Sequence, residues 1–168
     1  MGIYTRIVRG AEAGAITAGA IETSLFVLDL VRLRPLATPT TLAGAGMSPG
    51  GMALDLTNWS GVVSAAWTTY QISMLTLAHF VAFALAGIAA SLAFDWKRSG
   101  GAGRFGVLAA LCAVALFATV AFSSSVVNLG SLGLWMVLGM VVLSPAILGS
   151  ILRVLSMPEE ALGAPGRS

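Results

Sequence analysis

Two ionisable side chains lie deep inside apolar stretches of this sequence, and both could handle a proton. Glu22 falls within the apolar residues 10–31, and His79, the one histidine of the chain, falls within residues 70–94. A carboxylic acid and an imidazole can pass protons along, and intramembrane relays use these residue types. Glu22 and His79 therefore define the candidate site, either as a polar clamp between two helices or as a proton-handling pair.

The spacing of these two residues predicts that they meet. Glu22 lies nine residues before Val31, and His79 lies nine residues after Tyr70, which is ~14 Å along each helix. Antiparallel helices would bring both side chains to one depth, so we predict a hydrogen bond between them. Small residues on the same helices would allow close packing. These are Gly10, Gly14 and Ala18 before Glu22, and Ala82, Ala86 and Ala90 after His79.

His79 has a second interpretation, as an axial ligand of haem or chlorophyll. The chain has no second imidazole, so bis-histidine ligation would need another copy. The His, Cys and carboxylate residues show no metal-ligand spacing, and no phosphate loop is present. We therefore predict no catalytic residue, no metal site and no cofactor of its own. Lipids could still bind, and pigment or haem could be carried by partner subunits.

One further pair of charged residues lies at the end of the first apolar stretch. Asp29 stands three residues before Arg32. On a helix this spacing places both side chains on one face, where opposite charges attract. The sequence predicts a surface ion pair between Asp29 and Arg32.

The elements that would hold these residues are membrane-spanning helices. The 168 residues are 57% hydrophobic and 10% charged, with a mean hydropathy of +0.92, whereas soluble domains are about 25% charged. Each span needs about 20 residues. We predict an all-α, polytopic membrane protein with one domain over residues 1–168. Its four transmembrane helices cover about 7–31, 67–94, 105–122 and 131–155, and a loose tail covers 157–168.

The basic residues predict the orientation. Seven lie in the N-terminal segment, the second connection and the C-terminal segment, and two lie in the first connection. Because basic residues favour the cytoplasmic side, both termini are predicted to be cytoplasmic. The long first connection, residues 32–66, is then extracytoplasmic. Thr38 before Pro39 predicts the start of one short helix there, and residues 54–66 predict a second one lying along the membrane surface.

Two stretches of the sequence resemble a known group of proteins. Residues 29–42 are DLVRLRPLATPTTL, and residues 77–87 are LAHFVAFALAG. Together they resemble a group of small, uncharacterised bacterial membrane proteins. In that group an acidic residue ends the first helix, an Arg-Pro…Thr-Pro connection follows, and the second helix carries a His-Phe pair. The resemblance, over residues 10–94, implies four helices and association with energy-transducing complexes, and hence a bacterial inner membrane.

Two functions remain open at the level of sequence. The first is a non-catalytic accessory subunit of a larger respiratory or photosynthetic complex, with lipids and larger membrane subunits as partners. The second is a small homo-oligomeric channel, transporter or proton-conducting protein that uses Glu22 and His79. The basic residues lie at segment ends rather than in a patch, so no nucleic acid partner is predicted. The scarcity of ionisable groups favours the accessory subunit.

Overall fold

The computed structural model describes residues 2–33, 38, 58–94, 102–122 and 134–156. These residues form four helices, which are α1 (Ile3–Val31), α2 (Trp59–Ala93), α3 (Ala102–Phe122) and α4 (Leu134–Leu155). Three described segments are long and apolar enough to cross a membrane, namely Ile3–Val31, Trp59–Ala93 and Leu138–Leu155, and a shorter apolar segment covers Gly103–Thr119. The described part of the chain is thus helical, with three membrane-length helices. The fourth span, the single domain and the orientation stay predictions.

The second helix begins earlier than the predicted span. Asn58 caps it, because its side-chain oxygen accepts the backbone N–H of Gly61 at 2.7 Å. No glycine or proline interrupts the 25 residues after Gly61, so nothing ends the helix before it enters the apolar stretch. The prediction of a separate surface helix is therefore wrong for residues 59–66, which form the first turns of α2. The rest of the first connection, except Thr38, lies outside the described residues.

The backbones of α1 and α2 nearly touch. A Cβ atom added at Gly14 would lie 2.1 Å from the carbonyl oxygen of Phe83. One added at Gly87 would lie 2.1 Å from the carbonyl oxygen of Gly10, and one added at Gly10 would lie 2.7 Å from that of Gly87. Any side chain at these three positions would therefore force the helices apart. Glycine permits an approach that no other residue allows, as in small-xxx-small membrane helix pairs.

The contact includes α2 residues outside the predicted alanine stripe. Phe83 and Gly87 meet α1, and Ala82 is half-buried against the core. Ala86 and Ala90 are buried in a cluster to which all four helices contribute. Gly87 allows the close approach, because only glycine lets a neighbouring backbone come this near.

Arg6 of α1 caps the C-terminal end of α2. Its guanidinium donates to three carbonyl oxygens, those of Ser91 at 3.0 Å, Leu92 at 3.2 Å and Phe94 at 2.7 Å. The hydroxyl of Ser91 donates back to the carbonyl oxygen of Arg6 at 2.8 Å. The last carbonyls of a helix have no donor within that helix, so this side chain satisfies α2 and ties it to α1.

Other arginines lie at the same end of the bundle. Arg9 of α1 donates to the carbonyl oxygen of Leu155 at the end of α4. Arg104, near the start of α3, lies over the ring of Phe94 at 5.8 Å from its centroid. The start of α1, the end of α2, the start of α3 and the end of α4 therefore meet at one end. That end carries the residues predicted to face the cytoplasm.

We predict that Gly14→Ala destabilises the protein by about 1–3 kcal/mol, because the added methyl group would overpack the α1–α2 contact. Thermal or denaturant unfolding in detergent measures this. Gly106→Ala is the matched control, since Gly106 is exposed on α3 and an added Cβ there has open space. That variant should be unchanged or up to about 1 kcal/mol more stable, because alanine favours helix over glycine. Equal stability of Gly14→Ala and Gly106→Ala would contradict the close contact.

We also predict that Arg6→Met lowers the free energy of unfolding by about 1.5–3 kcal/mol, because charge-assisted bonds to the end of α2 are lost. Arg153→Met is the control. Arg153 is an exposed cation in the last turn of α4, and its removal should cost only the ~0.3–1 kcal/mol of a helix-dipole interaction. Similar losses for both variants would show that Arg6 acts through its charge alone.

Candidate functional site

The structure places Glu22 and His79 at the same helix contact but gives them different partners. The side chain of Thr76, on α2, lies beside the carboxyl group of Glu22. The imidazole of His79 lies beside the backbone of Ala18, on α1. Glu22 and His79 are both described, and the predicted hydrogen bond does not join them. Each residue lies instead beside a group about one helical turn away from the predicted partner.

The glycine contact explains this difference in register. Gly14 lies against Phe83, and one turn further out along both helices Ala18 comes level with His79. The glutamate lies one turn beyond that. The depth prediction placed Val31 level with Tyr70, whereas the observed register brings Ala18 rather than Glu22 level with His79. Aligning the ends of the two helices therefore did not predict which residues in their middles lie level with each other.

His79 is packed between α1 and α2. Its side chain is 7% exposed, and its ring lies 4.7 Å from the ring of Phe83, centroid to centroid. The Nε2 atom is buried and has no hydrogen-bond partner among the described residues. An axial ligand of haem or chlorophyll must reach the metal through a free ring nitrogen. Since the chain itself covers Nε2, the residues present do not fit such a group.

Three other buried hydroxyl groups bond within their own helices. Thr17, Thr119 and Ser144 each donate to the carbonyl oxygen four residues earlier, at 2.7–2.8 Å. Cys112 is a free, buried thiol that lies beside Ser144. In the part of the chain that the structure describes, no group of three or more His, Cys, Asp or Glu residues lies together. The three hydroxyls thus satisfy backbone carbonyls of their own helices.

Asp29 is bound by Thr38 rather than by Arg32. Its two carboxylate oxygens accept the backbone N–H and the hydroxyl of Thr38, each at 2.7 Å. Asp29 is 2% exposed, whereas Arg32 is exposed. These two bonds take the place of the predicted Asp29–Arg32 ion pair. They hold Thr38 against the end of α1. Spacing along one helix could not reveal this partner, although the Thr-Pro pair had marked Thr38 as a structured position.

The fold and the site together define a class: an all-helical protein with three membrane-length helices that polar side chains tie together across their contacts. Comparisons of the chain with protein-family models, with curated proteins and with solved structures gave no match. The contacts and polar side chains of the described helices are therefore what bears on its function.

We predict that His79→Leu changes the free energy of unfolding by less than about 1 kcal/mol. The variant loses the ring contact with Phe83, worth about 0.5–1.5 kcal/mol, but also removes a buried nitrogen without a hydrogen-bond partner, which costs about 1–3 kcal/mol. Phe83→Ala, at the neighbouring buried ring, should cost about 3–5 kcal/mol. Denaturant unfolding in detergent compares the two.

A loss of several kcal/mol in His79→Leu would show that the imidazole has a partner of its own. An absorption spectrum of the purified wild-type protein provides an independent check. A visible band that disappears in His79→Leu would restore the ligand interpretation.

Proposed function

We propose that the chain is a non-catalytic accessory subunit of a larger membrane complex. The observation that supports this best is how its polar side chains are used. Arg6 and Arg9 each donate to the backbone of a neighbouring helix, and His79 lies buried beside the backbone of Ala18. A catalytic or transporting group must be free to contact its substrate, whereas these donors hold helices together. Such a bundle is built to be a rigid packing unit.

The outward faces of the helices favour a membrane partner. Large apolar side chains are exposed there, among them Leu85 at 61%, Phe117 at 61% and Val142 at 60%. Gly106 and Gly139 also face open space. Lipid chains can cover the apolar side chains, and the glycines would let a helix of another subunit come close. Lipids and larger membrane subunits were both predicted as partners from the sequence.

The proposal extends to a bacterial energy-transducing complex, respiratory or photosynthetic, in the inner membrane. Its support is the resemblance of residues 29–42 and 77–87 to small bacterial membrane proteins. In such a complex, pigment or haem would belong to partner subunits. The chain itself would contribute helix surface and fixed geometry rather than reaction chemistry.

The test is purification of the tagged chain from its own membranes in mild detergent, followed by native mass analysis. We expect larger membrane subunits, some carrying cofactors, to accompany it at a fixed stoichiometry. A discrete homo-oligomer without other subunits would contradict the proposal. It would favour the alternative, a small channel, transporter or proton-conducting protein that uses Glu22 and His79.

The alternative has a direct test of its own in vesicles. Proton or solute flux that is lost in both Glu22→Gln and His79→Ala would support transport. The separate partners of the two residues, Thr76 and Ala18, give no support to a shared proton path. We therefore expect equal flux in the wild type and in both variants.

A further inference from the structure

The carboxyl group of Glu22 is an ionisable group that the bundle covers only in part. Glu22 lies nine residues from the end of α1, which is ~14 Å along the helix axis and deep in any bilayer that α1 spans. Its side chain is half-buried. The side chain of Thr76 lies beside it, but a carboxylate has room for about four hydrogen bonds.

No described cation lies near this carboxyl group. Arg6 and Arg9 bond to the ends of α2 and α4, at the far end of the bundle. Arg32 is ten residues further along α1, which is ~15 Å away along the axis. Intramembrane carboxylates are costly and nearly always pair with another group. The partner of Glu22 must therefore be a proton or a cation from outside the described residues.

The surface of α1 beside Glu22 has room for another helix. Ala15, Gly19 and Thr23 lie within ~100° of Glu22 around the helix axis, and none of the three is buried. A Cβ atom added at Gly19 would meet only the ring of Phe80, at 3.8 Å. The hydroxyl of Thr23 bonds to its own helix, to the carbonyl of Gly19 at 2.8 Å. A second helix could thus pack here without displacing a bond.

We infer that this face of α1 docks a transmembrane helix of another protein that carries a Lys or Arg at mid-membrane depth. Charge complementarity selects this occupant. Lipid chains offer no counter-charge, and a second copy packed in parallel through the same face would place Glu22 beside another Glu22. The inference rests on the proposed accessory role and names the chemistry of its partner.

A synthetic peptide tests the charge pairing without the natural partner. The probe is an apolar Leu–Ala helix of about 20 residues with one central Lys and a dansyl group, and the comparison peptide has Leu in place of Lys. Both are reconstituted with the full chain in phosphatidylcholine vesicles, and energy transfer from tryptophan reports association. We expect the Lys peptide to associate about tenfold more tightly. Equal association of the two peptides with the wild-type protein would overturn the inference and indicate a protonated Glu22.

The variant Glu22→Gln tests whether the carboxyl group of Glu22 causes the preference for the Lys peptide. It keeps the size and polarity of the side chain beside Thr76 and should lose the preference for the Lys peptide. Glu12→Gln should keep the preference, because Glu12 is exposed three residues from Arg9, near the arginine end. Thr76→Val removes the neighbouring hydroxyl but leaves the carboxyl group, and should also keep the preference. If Glu12→Gln abolishes the preference and Glu22→Gln does not, the inference is overturned.

Purification from the natural membrane separates this inference from the proposed function. If the wild-type chain brings down larger subunits and Glu22→Gln recovers at least tenfold less of them, both ideas are supported. Equal recovery with Glu22→Gln would leave the accessory role standing and overturn the docking face. If the wild-type chain brings down no subunit, the accessory role fails, whatever the peptides show.

Discussion

The contact between the backbones of α1 and α2 is the constraint on which the rest of this structure depends. Inside a bilayer, lipid chains are as apolar as the side chains, so helix pairs are held by close packing and polar bonds rather than by the hydrophobic effect. Gly10, Gly14 and Gly87 remove the side chains that would otherwise separate the two helices. The carbonyl groups of one helix then lie against the other, and sliding by a residue would bring side chains into collision.

The register of α1 against α2 decides which polar groups meet along their contact. At one end it sets Arg6 against the last carbonyls of α2, and in the middle it sets His79 against Ala18. Further out it sets Thr76 against Glu22. A register shifted by one turn would create an acid–imidazole pair, and the chemistry of the site would change. The observed register makes the histidine a packing element and leaves part of a carboxylate facing outward.

The predictions from sequence succeeded where a property is local to a segment. Helical structure and membrane-length apolar stretches follow from composition and from the few helix breakers, so three such helices were predictable. The separate surface helix was wrong for residues 59–66, because a surface segment and a span can be one continuous helix. The Asp29–Arg32 pair was the best choice available within one helix, but Thr38 comes from beyond the helix and binds the same carboxylate.

The sequence by itself determined the all-helical class, the apolar stretches that α1, α2 and α4 contain, and the importance of Glu22 and His79 as polar groups within such stretches. These follow from residue types and their periodicity along one helix. Only the tertiary structure decided which residues meet, because helix register depends on where two backbones can approach most closely. Gly87 on α2 lies at one such point, with its backbone against Gly10. The tertiary structure therefore separated the two site residues and showed that Glu22 faces partly outward.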